Sequence, residues 1–131
     1  MFCGGMTHQY GMNGGKCGVC GDPFDLPLPR PYEFGGEMCD GIIVRKYDPG
    51  ELITIKIDLV SYHFGYFEFK LCDSTNDSQE CFDRNVLKIA SGRPWNAIKS
   101  DTEFRYYPRN GVRIYELDLQ LPKGKRSQNM K

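Results

Sequence analysis

Residues 51–60, ELITIKIDLV, decide the fold class that the sequence predicts. Apolar side chains stand at every second position of this stretch, and threonine, lysine and aspartate stand between them. Because successive side chains of a β-strand point to opposite faces, the alternation gives one apolar and one polar face. The apolar face consists of Ile53, Ile55, Ile57 and Leu59. The stretch therefore predicts an antiparallel strand with one face in a core and the other in water.

Further strands are predicted on both sides of this stretch. Residues 112–121 (VRIYELDLQL) and 64–71 (FGYFEFKL) alternate in the same way. Residues 42–47 (IIVRKY) also predict a strand, followed by a turn at 48–50, and weaker strands are predicted near 86–90 and 104–107. We expect an all-β antiparallel β-sandwich. Its buried side chains should include Ile53, Ile55, Ile57, Phe67 and Phe69, packed together, and the apolar face of the last strand should consist of Tyr115, Leu117, Leu119 and Leu121.

The remainder of the chain lacks these periods. Residues 1–40 form a long Gly/Cys/Pro-rich loop region, with no alternation of period 2 or 3.6. Residues 123–131 (KGKRSQNMK) hold four basic residues and no acidic one, and they predict a disordered basic tail after a single domain over 1–122.

The 17 basic and 17 acidic residues give no net charge, which argues against a nucleic-acid partner. No apolar run approaches the roughly 20 residues of a membrane span.

The cysteines predict an oxidising compartment, because six in 131 residues are unusual in the cytosol. The opening MFCGG nevertheless has neither the basic nor the apolar segment of a signal peptide. Cys72 and Cys81 flank a short polar loop, 73–81, and we expect them to form a disulfide. The other four cysteines allow three pairings, which the sequence leaves open: Cys3, Cys17, Cys20 and Cys39.

A zinc site is the alternative use of the same region. Cys17 and Cys20 have the two-residue spacing of a zinc knuckle, and Cys3 and His8 could complete a tetrahedral set. This alternative predicts an intracellular zinc or interaction module.

Six motifs in order carry a resemblance to a known family. They are FCGG at 2–5, GKCGVCGD at 15–22, PRPYEFGGE at 29–37, GIIVRKYDPGE at 41–51, HFGYFEFKLC at 63–72 and QECFD at 79–83. Over about residues 2–122 the chain resembles the lytic polysaccharide monooxygenases of insects and other invertebrates, the chitin-binding type-4 domain family. The resemblance implies a secreted immunoglobulin-like β-sandwich with one copper ion on a flat face. It implies oxidative cleavage of glycosidic bonds in chitin or cellulose.

The resemblance also implies a metal site, a histidine brace. In the family an N-terminal histidine gives its amino group and ring nitrogen, a second histidine gives another nitrogen, and an aromatic residue stands in the axial position. By motif the second histidine is His63, while the first histidine and the axial residue have no counterpart here. Tyr62 stands where the family usually has Asn, Tyr32 where it commonly has His, and Cys39 where it has a small residue. We therefore expect a chain truncated at both ends, with an open site at His63 that binds copper weakly.

The resulting prediction is a monomeric, extracellular domain that binds chitin or a related polysaccharide and is impaired in copper-dependent catalysis. The alternative function is a non-catalytic carbohydrate-binding module. In that case Tyr62, Phe64 and Tyr66 would present aromatic area to a flat polysaccharide.

Overall fold

The computed structural model describes residues 2–72, 78–94 and 103–124. Its regular elements are a π-helical turn (Thr7–Met12), strand β1 (Leu52–Asp58), a short helix α1 (Gln79–Asp83), strand β2 (Lys88–Arg93) and strand β3 (Ile114–Gln120). The strands form one antiparallel sheet in the order β1-β3-β2. In this part of the chain no helix has the length and apolar character needed to cross a membrane. The predicted antiparallel all-β class is confirmed.

The register of the sheet is set by its central strand, β3. On one side Ile55 lies opposite Leu117, and on the other side Gly92 lies opposite the same leucine. The pairing of β2 shifts by one residue between Ile89 and Ser91, as in a β-bulge. The two long alternating stretches thus become neighbouring strands, as their pattern predicted.

The core lies on the apolar face of β3. Tyr115 is buried, and its hydroxyl exchanges hydrogen bonds of 3.0 Å with both the N–H and the carbonyl of Arg109. A tyrosine hydroxyl bonded to backbone a few residues upstream is a recurrent feature of Greek-key sandwiches. The predicted apolar face of the last strand is confirmed in full. The buried cluster consists of Leu87, Ile89, Tyr106, Tyr115, Leu117, Leu119 and Leu121.

The five side chains expected to be buried together pack against this core but are only half-buried. They are Ile53, Ile55, Ile57, Phe67 and Phe69. The isoleucines belong to β1, which is an outer strand of the sheet and therefore has a neighbour on one side only. The contact was predicted correctly, and the depth of burial was overestimated.

Three of the predicted strands do not form within the described residues: 42–47, 64–71 and 104–107. Residues 42–47 make no strand pairing, and Val44 is 87% exposed. Residues 64–71 and 104–107 meet through one isolated bridge, between Phe67 and Tyr106, and Lys70 forms a second isolated bridge, to Val86. The predicted turn at 48–50 is present, and the N–H of Glu51 donates to the carbonyl of Asp48 at 3.1 Å. β-Propensity produces a strand only where a partner strand is available, which explains these errors.

The loop region 1–40 is held by polar contacts. Arg30 is buried and donates to a carboxylate oxygen of Glu33 at 2.6 Å and to the carbonyl of Phe24. The buried carboxylate of Asp22 accepts a hydrogen bond from the N–H of Tyr32 at 3.1 Å. Among residues 2–40, Thr7–Met12 is the one regular element, and it corrects the expectation of loop throughout.

The disulfides settle part of the cysteine prediction. The predicted pair, Cys72 and Cys81, is bonded, with Cα atoms 5.6 Å apart. Cys3 is bonded to Cys17, and neither disulfide includes Cys20 or Cys39.

The two polar segments around α1 and the C-terminus are only partly described. The polar loop predicted over 73–81 ends in helix α1, which begins after Ser78. The hydroxyl of Ser78 caps the helix and accepts a hydrogen bond from the N–H of Cys81 at 3.2 Å. Residues 73–77 of that loop, and 125–131 of the predicted tail, lie outside the described residues.

Candidate functional site

The site begins in the connection that follows β1. The segment 59–66 leads from the sheet to Phe67, whose N–H and carbonyl exchange hydrogen bonds of 2.8 and 3.0 Å with Tyr106. His63 lies in this connection and is exposed. The two hydrogen bonds fix the end of the segment against residues 104–107.

Phe64 combines exposure with an unfavourable backbone. Its φ is +66°, in the left-handed region that bulky side chains rarely adopt, and the residue is 82% exposed. The following residue, Gly65, also has a positive φ, of +92°. The ring of Tyr62, which is half-buried, lies 5.2 Å from that of Phe64 at an interplanar angle of 55°. Two of the predicted binding aromatics therefore form one pair.

Tyr66, the third predicted aromatic, pairs with a ring that the sequence did not suggest. Tyr107 lies 5.7 Å from it at 59°, and the two side chains are 45% and 44% exposed. The guanidinium carbon of Arg105 lies 4.3 Å from the centre of the Tyr66 ring, at the distance of a cation–π contact. No local pattern could have found Tyr107 or Arg105, because about 40 residues separate them from Tyr66 along the chain.

Glu68 joins this aromatic pair to helix α1. One of its carboxylate oxygens accepts from Nε of Arg105 at 3.1 Å, and the other lies 3.3 Å from Nζ of Lys70. Lys70 also donates to Asp83, at the end of α1, at 2.5 Å. The hydrogen bond with Asp83 is the main cause that raises the pKa of Lys70, and the one with Glu68 is the main cause that raises the pKa of Arg105.

The alternative zinc site is contradicted. Cys3 and Cys17 are joined in a disulfide, so neither sulfur is available as a thiolate ligand. Nε2 of His8 lies 2.8 Å from the carboxylate of Asp25, to which Asn13 also donates at 2.9 Å. The hydrogen bonds from Asn13 and then from His8 lower the pKa of Asp25 to about 2.

His63 is the residue to which the sequence motif assigns a role in copper binding. His63 offers one imidazole nitrogen. Within 2–72, 78–94 and 103–124, no group of three or more His, Cys, Asp or Glu side chains is arranged to hold a metal ion. Copper in proteins is held by several nitrogen or sulfur ligands in a defined geometry.

Comparisons with known proteins agree with the motifs. A family model described as lytic polysaccharide mono-oxygenase, cellulose-degrading, matches residues 4–130. Among solved structures, the lytic polysaccharide monooxygenase AA15 from Thermobia domestica in the Cu(I) state is similar, with 36% sequence identity and a TM-score of 0.80. The match covers 98% of this chain and 64% of that one, so the chain spans less than two thirds of the length of its structural relative. No curated protein matches this chain significantly.

The structural match confirms the immunoglobulin-like β-sandwich as the fold class. The family is copper-dependent, acts on polysaccharides, and has members that are typically secreted. The family model covers nearly the whole sequence, and the solved structure reproduces the fold at substantial identity. This chain therefore belongs to the lytic polysaccharide mono-oxygenase family.

Proposed function

We propose that the chain is a secreted, monomeric polysaccharide-binding domain of the invertebrate type, which binds chitin or cellulose through the aromatic side chains around His63. The surface in question, the aromatic face, consists of Tyr62, Phe64 and Tyr66. We propose further that the chain itself has little oxidative activity, because it binds copper weakly.

The observation that carries the proposal is the state of Phe64. A non-glycine residue in the left-handed region costs roughly 1–2 kcal/mol. A residue that is 82% exposed recovers little of this through burial. Neither the backbone nor the core therefore favours phenylalanine here, and residues held in such conformations cluster at binding sites. A flat apolar ring offered to solvent matches the apolar C–H face of a sugar ring.

The experiment is a binding assay on insoluble chitin and cellulose, comparing the wild type with Phe64→Ala. Aromatic contacts contribute about 0.5–1.5 kcal/mol beyond area burial, so we expect roughly a 2- to 10-fold loss of affinity. Tyr10→Ala is the matched control, because Tyr10 is also exposed but lies in the π-helical turn. Equal affinity for wild type and Phe64→Ala, or failure of the wild type to bind either polymer, would contradict the proposal.

The copper part of the proposal has its own test. One imidazole holds Cu(II) far more weakly than a chelate of several nitrogens, because each further nitrogen held in place adds binding without a new association cost. We expect calorimetric titration with Cu(II) to show weak binding, and incubation with polysaccharide and reductant to release few oxidised oligosaccharides. Tight one-to-one binding that is lost in His63→Ala would show that other residues complete the site.

A further inference from the structure

We propose that Arg105 is a positioning residue that holds Tyr66 and Tyr107 as a second aromatic platform of the polysaccharide-binding surface. Tyr107 is then a binding residue in its own right. This inference rests on the proposed function, and it extends the aromatic face to a segment about 40 residues further along the chain.

The rings of Tyr66 and Tyr107 both keep surface that is open to a sugar. Arg105 lies over one face of Tyr66 at 4.3 Å, so a sugar ring cannot stack on that face. The two tyrosine rings are tilted at 59° and each is just under half exposed, so both still present surface to solvent. Because the ring centres of Tyr66 and Tyr107 are only 5.7 Å apart, a polysaccharide that contacts Tyr66 would come close to Tyr107 as well.

A series of ion pairs keeps Arg105 in place. Its Nε donates to Glu68, and Glu68 is held in turn by Lys70, which is bonded to Asp83 of α1. Each of these partly exposed ion pairs is weak alone, but together they fix the guanidinium plane over the ring. Helix α1 is tied to the same segment by the disulfide between Cys72 and Cys81.

The guanidinium group of Arg105 has a geometry that a lysine ammonium cannot replace. A planar guanidinium can stack on an aromatic ring and still donate sideways to a carboxylate, whereas an ammonium group cannot do both in the same geometry. Arg105→Lys keeps the charge but should release the Tyr66 ring. The variant therefore separates positioning from charge.

The experiment measures binding to chitin and cellulose, together with NMR signals of tyrosine ring carbons in the free protein. We expect Tyr107→Ala to weaken binding about 2- to 10-fold, and Arg105→Lys to weaken it about 2- to 5-fold while shifting the Tyr66 ring signals. Arg113→Lys is the matched control, because Arg113 is also exposed and paired with a carboxylate, that of Asp58. Arg113→Lys should change neither the binding to chitin and cellulose nor the Tyr66 ring signals.

The outcomes separate this inference from the proposed function. If Phe64→Ala weakens binding while Tyr107→Ala and Arg105→Lys do not, the inference is refuted and the proposed function stands. If the wild type binds neither polymer, the proposed function fails and the binding role of Tyr107 fails with it. Unchanged Tyr66 ring signals in Arg105→Lys would refute the positioning role whatever the binding result.

Discussion

Gly92 occupies the point in the sheet where a side chain would collide with the core, and we predict that Gly92→Ala destabilises the protein. A Cβ atom there would lie 2.5 Å from Cε2 of Tyr106 and 2.8 Å from Cδ2 of Leu117. Both neighbours are essentially inaccessible to solvent, at 1% and 0% exposure, and they cannot swing outward as a surface side chain would. Overpacking of a core costs about 1–3 kcal/mol, a large part of the 5–15 kcal/mol typical of a whole domain.

The assay is urea unfolding followed by far-UV circular dichroism. Gly124→Ala serves as the control, because a Cβ at that position has no atom within 4 Å, and it should change the free energy of unfolding by less than about 0.5 kcal/mol. Leu117→Ala alone should cost about 2–5 kcal/mol through the cavity it leaves. The double variant Gly92→Ala with Leu117→Ala should cost less than the sum, by about 0.5–3 kcal/mol, because the cavity receives the new methyl group.

A free energy of unfolding for Gly92→Ala that lies within about 0.5 kcal/mol of the wild-type value would refute the predicted collision. Strict additivity in the double variant would refute the part assigned to Leu117 and leave Tyr106 as the colliding side chain.

Three further predictions concern separate parts of the molecule. Replacing Cys72 and Cys81 together by Ala should lower the free energy of unfolding by about 2–3 kcal/mol in a calorimetric scan, since the short loop they close is released; no change would contradict this. NMR titration should give the carboxyl of Asp25 a pKa of about 2, and Asn13→Ala should move it back towards 3.8. Because the folded-state pKa of Asp25 is lowered, the stability that its carboxylate contributes is complete above pH about 4 and disappears as pH falls through about 2. A measured pKa of 3.8 for Asp25 would refute the hydrogen bonds from Asn13 and His8. Phe64→Gly should raise the free energy of unfolding by about 1 kcal/mol while weakening polysaccharide binding, and a less stable variant would contradict the strain assigned to Phe64.

The fold could be predicted from sequence where one face of a strand is apolar and the partner is a long strand. The stretches 51–60 and 112–121 satisfy this, and they became β1 and β3 with ends shifted by only a few residues. The prediction failed at 42–47 because apolar character there is not matched by any pairing strand in the described chain. Strand β2 extends through Ser91, Gly92 and Arg93, residues whose pattern does not suggest a strand and which pair because β3 lies beside them.

The candidate site was predictable only where it is continuous in sequence. His63 and the aromatics at 62, 64 and 66 lie within five residues, and a family motif contains most of them. Arg105 and Tyr107 join them through a bridge between Phe67 and Tyr106, which depends on how distant segments pair. The strain at Phe64 was also invisible in the sequence, because nothing in the residue type indicates a positive φ.

The position of β3 has a consequence for how the protein is made. The central strand of the sheet is the last of the three to be synthesised, and its partners in β1 are distant in sequence; Thr54, for example, lies 64 positions before its partner Asp118. At roughly 5–20 residues per second, a ribosome needs about 3–13 s to travel that distance. During that interval β1 and β2 have no sheet partner, since each pairs with β3 and not with the other. Strand β1, with its apolar face, therefore has no strand of this sheet to pair with while residues 59–113 are synthesised, and this exposes the nascent chain to aggregation until Ile114–Gln120 arrives.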